Sequence, residues 1–322
     1  RGKELPRNIK FRQTLPLVGV DPAEAKRGAW GPKAVAPYCD ACAWPVPDLP
    51  RWAKESGLRY FTLAFVTADA KHQPAWGGVV PLKTQHMLAQ VRAVRALGGD
   101  VSVSFGGANG IELAQAIKSV PDLVAAYSAV IDMYSLRRVD FDIEGGAVAD
   151  AASVDRRNKA IAALNKKYPN VQVTYCLPVL PTGLTADGVA LVRNAAKTGV
   201  KVWSFNGMSM DFGDSAAPPK AKTMGAYVVD SANALRAQTT AAGYPSATIG
   251  VIPMIGVNDV QTEIFTLKDA AMVRAFFHAT PWMSYVGWWS VNRDRPGPGH
   301  GANSADSGID QKPWAFAKAF LA

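Results

Sequence analysis

The stretch "RRVDFDIEGG", residues 137–146, decides the fold because it describes a strand with one acidic face. Its acidic residues stand two positions apart: Asp140, Asp142 and Glu144. Hydrophobic residues occupy the positions between them: Val139, Phe141 and Ile143. Residues two apart on a strand share a face, so the three carboxyl groups point the same way. Buried charges without partners are costly, and this row therefore indicates a site rather than ordinary core.

Seven other short apolar runs match this strand in length and in their Gly, Pro or Asp boundaries. With 138–146 as the fourth strand, the others are 34–44, 59–68, 100–107, 171–180, 201–212, 248–257 and 284–294. Segments with helical spacing lie between most of these runs: 84–99, 123–136, 150–168, 186–199, 223–243, 267–280 and 312–322. The link after the first strand, "PDLPRWAKESG", offers a short helix only.

This alternation predicts an α/β fold, a (β/α)8 TIM barrel of parallel strands in a single domain. We assign residues 34–322 to the barrel and residues 1–33 to an N-terminal extension that packs on it. A doubly wound open sheet is the alternative. It would place a glycine-rich phosphate turn after the first strand, where "ACAWPVPDLP" stands instead. The Pro- and Gly-rich segment 293–308 predicts a long loop at the barrel mouth.

The composition is that of a globular protein, with 322 residues, 48% hydrophobic and 19% charged, and a net charge of +9. No window approaches the roughly 18 consecutive apolar residues of a membrane span, so we expect no membrane partner. The Lys and Arg residues are scattered and form no basic stripe interleaved with aromatics, so we expect no nucleic-acid partner. The chain opens with the polar and basic "RGKELPRNIKF" and shows no signal peptide.

Cys39 and Cys42 form a C-x-x-C pair, a spacing that occurs in redox motifs and in half of a zinc site. No second pair completes a zinc site, and the histidines lack ligand spacing: His72, His86, His278 and His300. We therefore expect no metal and no cofactor. A Cys39–Cys42 disulfide, with Cys176 left free, is one outcome for an exported protein.

The chemistry of a TIM barrel lies at the C-terminal ends of its strands. On the fourth strand Glu144 would stand highest and Asp140 deepest, and Gly145 and Gly146 would free the backbone to turn away. Carboxyl groups about 6.5–7 Å apart along a strand interact, so one titrates late and serves as a general acid. Such paired acids suit glycoside hydrolysis. A metal site or a hydrated polar plug is the alternative.

Four segments resemble motifs of the family 18 glycoside hydrolases, the chitinases and endo-β-N-acetylglucosaminidases. "VDFDIEG" (139–145) is similar to the D-x-D-x-E end of the family signature. The other segments stand in the family's order: "SVSFGG" (102–107) resembles S-x-G-G, "MSMDFG" (208–213) resembles M-x-Y-D, and "GWWSVNRD" (287–294) resembles the segment with the sugar-site Trp. The resemblance implies the barrel that the strand order already predicts.

The resemblance also implies a substrate-assisted retaining mechanism, in which the N-acetyl oxygen of the substrate attacks the anomeric carbon. It implies that Glu144 protonates the leaving oxygen and then activates water as a base. Asp142 would hydrogen-bond the acetamido N–H and offset the positive charge of the oxazolinium ion. Asp140 would lie below, sharing a proton with Asp142 and tuning its pKa.

Two positions depart from the family pattern. Arg137 stands where the longer signature begins with Asp, a change that we expect to be structural because it lies at the bottom of the strand. Met210 stands where the family usually has a Tyr that helps bind the acetamido carbonyl, while Asp211 remains. Tyr175, which we place on the inward face of the fifth strand, is the candidate to supply the missing hydroxyl.

Flat aromatic side chains are expected in a sugar cleft because sugar rings have apolar faces. The motif match makes Trp289 the floor of the site, and Trp288 should then face the outer helices. Trp44 and Trp76 fall in loops at the mouth, where sugar stacking and core packing both remain open.

The leading hypothesis is a chitinase that hydrolyses β-1,4-linked N-acetylglucosamine polymers. An endo-β-N-acetylglucosaminidase acting on N-glycans or wall glycan is the second hypothesis. A non-catalytic chitin-binding lectin is the third, and the retained Glu144 disfavours it. We expect a monomer that binds chitin or N-acetylglucosamine oligosaccharides, with Asn258 and Asp259 at the mouth as further candidate contacts. Because these glycans lie outside cells, we expect secretion.

Overall fold

The computed structural model describes residues 30–322, whose strands form one large sheet and one small hairpin. The strands are β1 (Ala34–Val35), β2 (Tyr38–Asp40), β3 (Tyr60–Ala68), β4 (Pro74–Trp76), β5 (Val80–Pro81), β6 (Asp100–Gly106), β7 (Arg138–Asp142), β8 (Gln172–Leu180), β9 (Gly183–Leu184), β10 (Ser204–Met208), β11 (Thr248–Val251), β12 (Gly256–Val257), β13 (Ile264–Phe265) and β14 (Met283–Val286).

The helices lie between the strands of the large sheet. They are α1 (Leu49–Ser56), α2 (Leu88–Ala96), α3 (Leu113–Ala116), α4 (Val120–Tyr134), α5 (Gly146–Ala149), α6 (Ala151–Lys167), α7 (Ala186–Thr198), α8 (Met224–Ala241), α9 (Leu267–Ala279) and α10 (Ala315–Leu321). In the range 30–322, none of them is both long and apolar enough to cross a lipid bilayer.

Eight parallel strands follow one another around the large sheet in the order of the chain. Seven of them pair each with the next: β3, β6, β7, β8, β10, β11 and β14. The eighth is the segment of β1 and β2, since β1 pairs with β14 and β2 pairs with β3. Ala36 between them donates its N–H to the Val286 carbonyl at 3.0 Å, and Thr62 donates to the Pro37 carbonyl at 2.9 Å. The predicted (β/α)8 barrel is confirmed.

Short polar residues and glycines set the ends of several helices. The side chains of Thr185, Thr223 and Thr266 each accept a backbone N–H at the start of α7, α8 and α9. Gly57 and Gly199 end α1 and α7 in the left-handed conformation. These local signals explain why the predicted and observed bounds of these helices lie close together.

The helix predicted at 84–99 is shorter in the structure and begins at Leu88. A 3-10 turn precedes it, and Gln85 and Met87 have φ values of 56° and 66°, which an α-helix excludes. The apolar spacing predicts the helix, while the backbone of the preceding turn sets where it begins.

Several predicted strands end earlier than their apolar runs, and two of these ends bear on the site. The fourth strand, predicted to reach residue 146, ends at Asp142, so that Glu144 lies in the turn above it. The seventh strand, predicted over 248–257, ends at Val251, and its remainder forms β12, which pairs antiparallel with β13. Both ends lie at the barrel mouth, where the chain leaves the sheet.

Side chains of the parallel strands alternate between a polar interior and an aromatic outer face. One interior row lies in register across β6, β7, β8 and β10: Ser104, Asp140, Thr174 and Ser204. The next residues along the same strands form an outer row whose neighbouring rings lie 5.3, 5.9 and 6.1 Å apart: Phe105, Phe141, Tyr175 and Phe205. Phe105 packs on Tyr127 of α4 at 4.8 Å. Burial of this row stabilises the fold by about 1.5–3 kcal/mol per aromatic side chain.

The predicted N-terminal extension, residues 1–33, lies outside the described residues except for its last four. Trp30 is buried, and its Nε1 donates to the Asp100 carboxylate at 3.0 Å. Its ring lies 4.5 Å from the guanidinium of Arg138, which is buried at the foot of the barrel interior. The described end of the extension therefore covers the lower end of the barrel.

Gly106, at the end of β6, permits a close approach of backbone next to the acidic row. A Cβ at this position would lie 2.0 Å from the Asp142 carbonyl oxygen, and the φ of Gly106 is +107°. We therefore expect Gly106→Ala to lower the free energy of unfolding, measured by urea titration, by about 2–3 kcal/mol. Gly146→Ala is the matched control, because a Cβ there would have no atom of the described chain within 4 Å apart from its chain neighbours and its own helix backbone. Equal stability of the two variants would contradict this role for Gly106.

Candidate active site

Asp140 is buried in the barrel interior, where hydroxyl groups from three other strands donate to its carboxylate. Tyr38 donates at 2.6 Å, Ser104 at 2.7 Å and Thr174 at 2.5 Å. Burial raises the pKa of Asp140, while these hydrogen bonds and the Arg138 charge oppose that rise. The spacing of the acids predicts Asp140 but not its partners. Alternation along β6 and β8 shows which residues share a face with Ser104 and Thr174, but the register with β7 is needed to place that face inward beside Asp140.

Asp142 and Glu144 form the upper pair of the acidic row. Asp142 is 4% exposed, whereas Glu144 is half-buried at the mouth, where Gly145, with φ of +59°, turns the chain away. Burial raises the pKa of Asp142 well above its usual range, and the Glu144 charge raises it further. Both upper carboxyl groups therefore interact, and Asp142 retains a proton to higher pH than an isolated carboxyl group does. The pair can therefore supply a general acid near neutral pH.

The structure differs from the expectation that Asp140 and Asp142 share a proton. Both oxygens of Asp140 accept hydroxyl hydrogen bonds, whereas the pKa of Asp142 responds to Glu144 and to the Cys176 thiol. Cys176 lies opposite Asp142 in the register of β7 and β8, a neighbour that was not predicted. The charge of Asp140 still raises the pKa of Asp142. Asp140 thus acts on Asp142 from below through its charge, and Glu144 acts on Asp142 from the cavity side.

One oxygen of Asp142 faces no donor. Within residues 30–322, its Oδ1 is buried and has no hydrogen-bond partner. Leaving a buried polar atom without a partner costs about 1–3 kcal/mol, and more for a charged group. Because Asp142 lines an open cavity, its carboxyl group can accept from a donor on a ligand, such as an N–H group.

A cavity of about 280 Å³ opens at the barrel mouth above the acidic row. Six of the predicted site residues line it: Asp142, Glu144, Met210, Asp211, Asp259 and Trp289. The remaining lining residues were not predicted: Tyr38, Phe65, Ala108, Asn109, Met208, Ile252 and Met254. They come from segments far apart in sequence, which the barrel order brings to one rim.

Trp289 forms an aromatic wall of the cavity together with Phe65. Their rings stack with centroids 5.7 Å apart and an interplanar angle of 9°, and the Tyr38 ring lies 6.3 Å from Trp289. Trp288 faces outward, as predicted, and stacks on Phe320 at 4.8 Å. The wall presents a flat apolar surface beside the two upper carboxyl groups.

Asp211 lines the cavity and also fixes the loop that follows the seventh strand. Its carboxylate accepts the Val260 N–H at 2.9 Å, and burial raises its pKa. Asn258 is fully buried, and its amide donates to two carbonyl oxygens of the same loop at 2.9 and 3.2 Å. Asn258 is therefore a structural residue, whereas the exposed Asp259 beside it lines the cavity.

Tyr175 does not reach the cavity, and its predicted role as a substrate contact is wrong. Its ring lies in the outer aromatic row, and its hydroxyl donates to the Asn158 side chain on α6. The register pairs Tyr175 with Phe141, whose ring also faces the helices, so that Cys176 takes the inward position. The assignment failed because the apolar run of β8 does not itself reveal which face is inward.

Met210 lies on the cavity lining at the position where the family usually has a tyrosine. In the part of the chain that the structure describes, Tyr38 is the one tyrosine on this lining, and its hydroxyl donates to Asp140. Met208 and Met210 instead give the cavity an apolar, sulfur-containing wall at this point.

The two tryptophans of the mouth loops differ in their surroundings. Trp76 is fully buried, and its Nε1 donates to the Tyr134 hydroxyl at 2.8 Å, so it belongs to the core. Trp44 is 88% exposed. Whether a tryptophan of these loops is buried or exposed depends on how the loops pack, and the sequence pattern does not predict that packing.

The cysteines are free thiols: Cys39, Cys42 and Cys176. The Cys39–Cys42 disulfide is therefore not formed. Burial raises the pKa of Cys39 and Cys176 well above the usual range, so both remain protonated near neutral pH. Within residues 30–322, no group of three or more His, Cys, Asp or Glu side chains is placed to hold a metal ion.

No protein-family model matches the chain, but two curated proteins are similar to most of it. A probable bifunctional chitinase/lysozyme of Escherichia coli strain K12 is 36% identical over 285 residues, and Endochitinase 11 of Metarhizium anisopliae is 35% identical over 282 residues. These matches cover 84% and 83% of this chain but 32% and 54% of those proteins. The chain thus spans about a third and about half of their lengths.

The catalytic domain of a hyperthermophilic chitinase from Pyrococcus furiosus is similar in structure, with a TM-score of 0.82 and 32% identity over 91% of this chain and 95% of that one. Catalytic-site mutants of active domain 2 of a thermostable chitinase from the same organism, complexed with chito-oligosaccharides, give the same TM-score at 31% identity. The acidic row of β7 and the cavity wall at Trp289 agree with these similarities. The chain belongs to the chitinases of glycoside hydrolase family 18.

Proposed function

We propose that this domain hydrolyses β-1,4-linked N-acetylglucosamine polymers by a substrate-assisted retaining mechanism. The observation that carries the proposal is the carboxyl pair on the cavity lining: Asp142, whose buried Oδ1 has no donor in the described chain, and Glu144, whose charge raises the pKa of Asp142. We propose that the two residues share one proton. A sugar with a 2-acetamido group offers an N–H to the first residue and a glycosidic oxygen to the second. Chitinases among its relatives, one of them complexed with chito-oligosaccharides, support the choice of polymer.

In this mechanism Asp142 accepts the acetamido N–H and turns the acetyl oxygen toward the anomeric carbon. That oxygen attacks as the glycosidic bond breaks, and Glu144 donates the shared proton to the leaving oxygen. The charge left on Asp142 stabilises the oxazolinium cation in a site that Asp140 keeps electronegative. Glu144, now a carboxylate, takes a proton from a water molecule. That water attacks the anomeric carbon, which opens the oxazolinium ring and restores the amide.

The aromatic wall of Phe65 and Trp289 supports a sugar ring as the ligand, because sugars have an apolar face. An endo-β-N-acetylglucosaminidase that acts on N-glycans recognises the same sugar and is the alternative. We further propose that the enzyme is secreted, since its polymeric substrate lies outside cells. We also propose that it acts as a monomer, because one chain supplies the whole cavity lining described above.

Replacing Glu144 by Gln removes the proton donor and keeps the shape of the side chain. We expect Glu144→Gln to lower kcat/KM on the N-acetylglucosamine hexamer by about 10²–10⁴-fold. Chromatography of the released oligosaccharides measures this rate, and a glycoprotein with N-glycans serves as the second substrate. The wild type should cleave the hexamer and spare the glycoprotein. Release of the N-glycan with an intact hexamer would refute the assignment as a chitinase.

Glu55→Gln is the matched control for this experiment. Glu55 lies on α1 and accepts the indole N–H of Trp314 at 3.0 Å, a hydrogen bond that an amide oxygen can also accept. The kcat/KM of Glu55→Gln should therefore match that of the wild type. An equal loss in both variants would show a general effect on folding and would contradict the catalytic role of Glu144.

The shared proton also predicts how activity depends on pH. The raised pKa of Asp142 means that the pair holds its proton to higher pH than an isolated carboxyl group would and loses it as the pH rises further, so kcat/KM should fall on the alkaline side. Asp142→Asn removes one of the two repelling charges, and the alkaline limb of its residual activity should move to lower pH. Profiles of kcat/KM between about pH 4 and 10 measure both limbs. An alkaline limb that stays in place would argue against a shared proton.

A further inference from the structure

Asp211 has an unusual backbone conformation for a residue that lines the cavity. Its φ is +50°, in the left-handed region that residues with a Cβ rarely adopt, and residues 209–213 around it form no helix or strand. Such a conformation persists only where the surrounding structure holds it. The direction in which the Asp211 side chain meets the cavity therefore depends on what fixes residues 209–213, which we call the Asp211 loop.

A second loop is joined to the Asp211 loop by hydrogen bonds in both directions. It is the hairpin loop, residues 258–263, which connects β12 to β13. The Asn258 side chain accepts the Asp211 N–H at 3.3 Å, and the Asp211 carboxylate accepts the Val260 N–H at 2.9 Å. The hairpin loop is itself closed, since the Glu263 N–H donates to the Val260 carbonyl at 2.8 Å. A closed loop of this kind is a firm support for its neighbour.

The side chain of Glu263 holds both backbone N–H groups that directly follow Asp211. Its Oε2 accepts the Phe212 N–H at 3.1 Å, and its Oε1 accepts the Gly213 N–H at 2.7 Å. Two hydrogen bonds from one carboxylate to successive N–H groups fix the orientation of this backbone as well as its position. They therefore act directly on the segment that gives Asp211 its left-handed φ.

Glu263 is buried, with 2% of its surface exposed. Within residues 30–322 its carboxylate accepts backbone N–H groups and forms no ion pair with a Lys or Arg side chain. Burial raises the pKa of Glu263, and the N–H groups of Gly213 and Phe212 oppose that rise. A buried carboxylate without an ion pair is costly, and a neutral side chain would fill the same space without that cost. The two backbone donors are therefore what this carboxylate is placed to hold.

We propose that Glu263 is a positioning residue, which holds the Asp211 loop so that the Asp211 carboxylate meets the sugar bound in the cavity. The identity of the sugar rests on the proposed function. Glu263 is not among the residues that line the cavity, so it acts on the sugar through Asp211 alone. Replacing Glu263 by Gln keeps the size of the side chain but turns one acceptor oxygen into a donor. One of the two backbone N–H groups then faces an N–H donor and loses its partner.

The test compares Glu263→Gln with Asp269→Asn in the full chain. Asp269 is the matched control because it is also a buried acid, 4% exposed, whose carboxylate accepts two backbone N–H groups. Its donors are Gly225 and Thr266, each at 2.8 Å, and they lie at the starts of α8 and α9 rather than on the cavity lining. Two quantities are measured: the hydrogen exchange rates of individual backbone amides without substrate, and kcat and KM on the N-acetylglucosamine hexamer.

In Glu263→Gln the amides of Phe212 and Gly213 should exchange about tenfold faster than in the wild type. The KM should rise, so that kcat/KM falls about tenfold, because a displaced Asp211 loses a contact to the bound sugar. Asp269→Asn should match the wild type in these exchange rates and in kcat/KM. Asp211→Gly removes the carboxylate, and glycine accepts a φ of +50°. Adding Glu263→Gln to Asp211→Gly should lower kcat/KM little further, since Glu263 acts through Asp211.

Unchanged exchange of the two amides in Glu263→Gln would overturn the positioning role, whatever the substrate. An equal kinetic loss in Asp269→Asn would also overturn it, and so would fully additive losses when Glu263→Gln and Asp211→Gly are combined. If Glu263→Gln does not fold, Glu263→Asp takes its place, because it keeps both acceptor oxygens but withdraws them by one methylene group. A wild type that does not hydrolyse the hexamer would contradict the proposed function, and the exchange rates would still decide whether Glu263 holds the Asp211 loop.

Discussion

The hydrogen bonds that Asp140 accepts in the barrel interior are the constraint on which the site depends. A carboxylate at this depth is costly without donors, and Tyr38, Ser104 and Thr174 supply them from three different strands. These hydroxyl groups converge because the strands follow one another around one barrel in fixed register. The fold and the chemistry therefore impose the same requirement, a polar interior at the height of Asp140 inside an apolar outer layer.

Above Asp140, not every carboxyl oxygen of the acidic row has a hydrogen-bond donor in the described chain. Both oxygens of Asp140 accept hydrogen bonds, whereas Asp142 interacts with Glu144 and keeps one oxygen without a donor in the described chain. At the foot of the acidic row the Arg138 guanidinium lies 4.5 Å from the Trp30 ring. Burial raises the pKa of Asp140, and its three hydroxyl donors and the Arg138 charge oppose that rise. The pKa of Asp142, next to the cavity, is raised well above its usual range by burial and by the Glu144 charge. Hydrogen bonds from three strands hold the Asp140 carboxylate in place. The Asp142 carboxyl group, next to the cavity, keeps an oxygen without a donor in the described chain.

Spacing along the sequence predicts the features that lie within one strand. The acidic row, the turn above it and the order of eight strands all follow from local periodicity and turn residues. Local spacing does not predict features that depend on pairing between strands, such as the hydroxyl partners of Asp140 and the Phe65 wall beside Trp289. Tyr175 was assigned to the wrong face because alternation along 171–180 separates Tyr175 from Thr174 but does not show which of the two faces inward. The register with β7 places Thr174 inward and Tyr175 outward. Exposure in the mouth loops depends on tertiary packing, which no local pattern encodes.

The central claim is that the bound sugar's own amide attacks, while Asp142 orients it and Glu144 handles the proton. Rates on N-acetylglucosamine oligomer glycosides whose acetyl methyl group carries zero, one, two or three fluorine atoms test this claim most directly. Fluorine withdraws electrons from the amide oxygen with little change in size, so we predict that kcat falls at each step and by orders of magnitude across the series. Equal rates across the series would show that the amide oxygen does not attack and would contradict the mechanism.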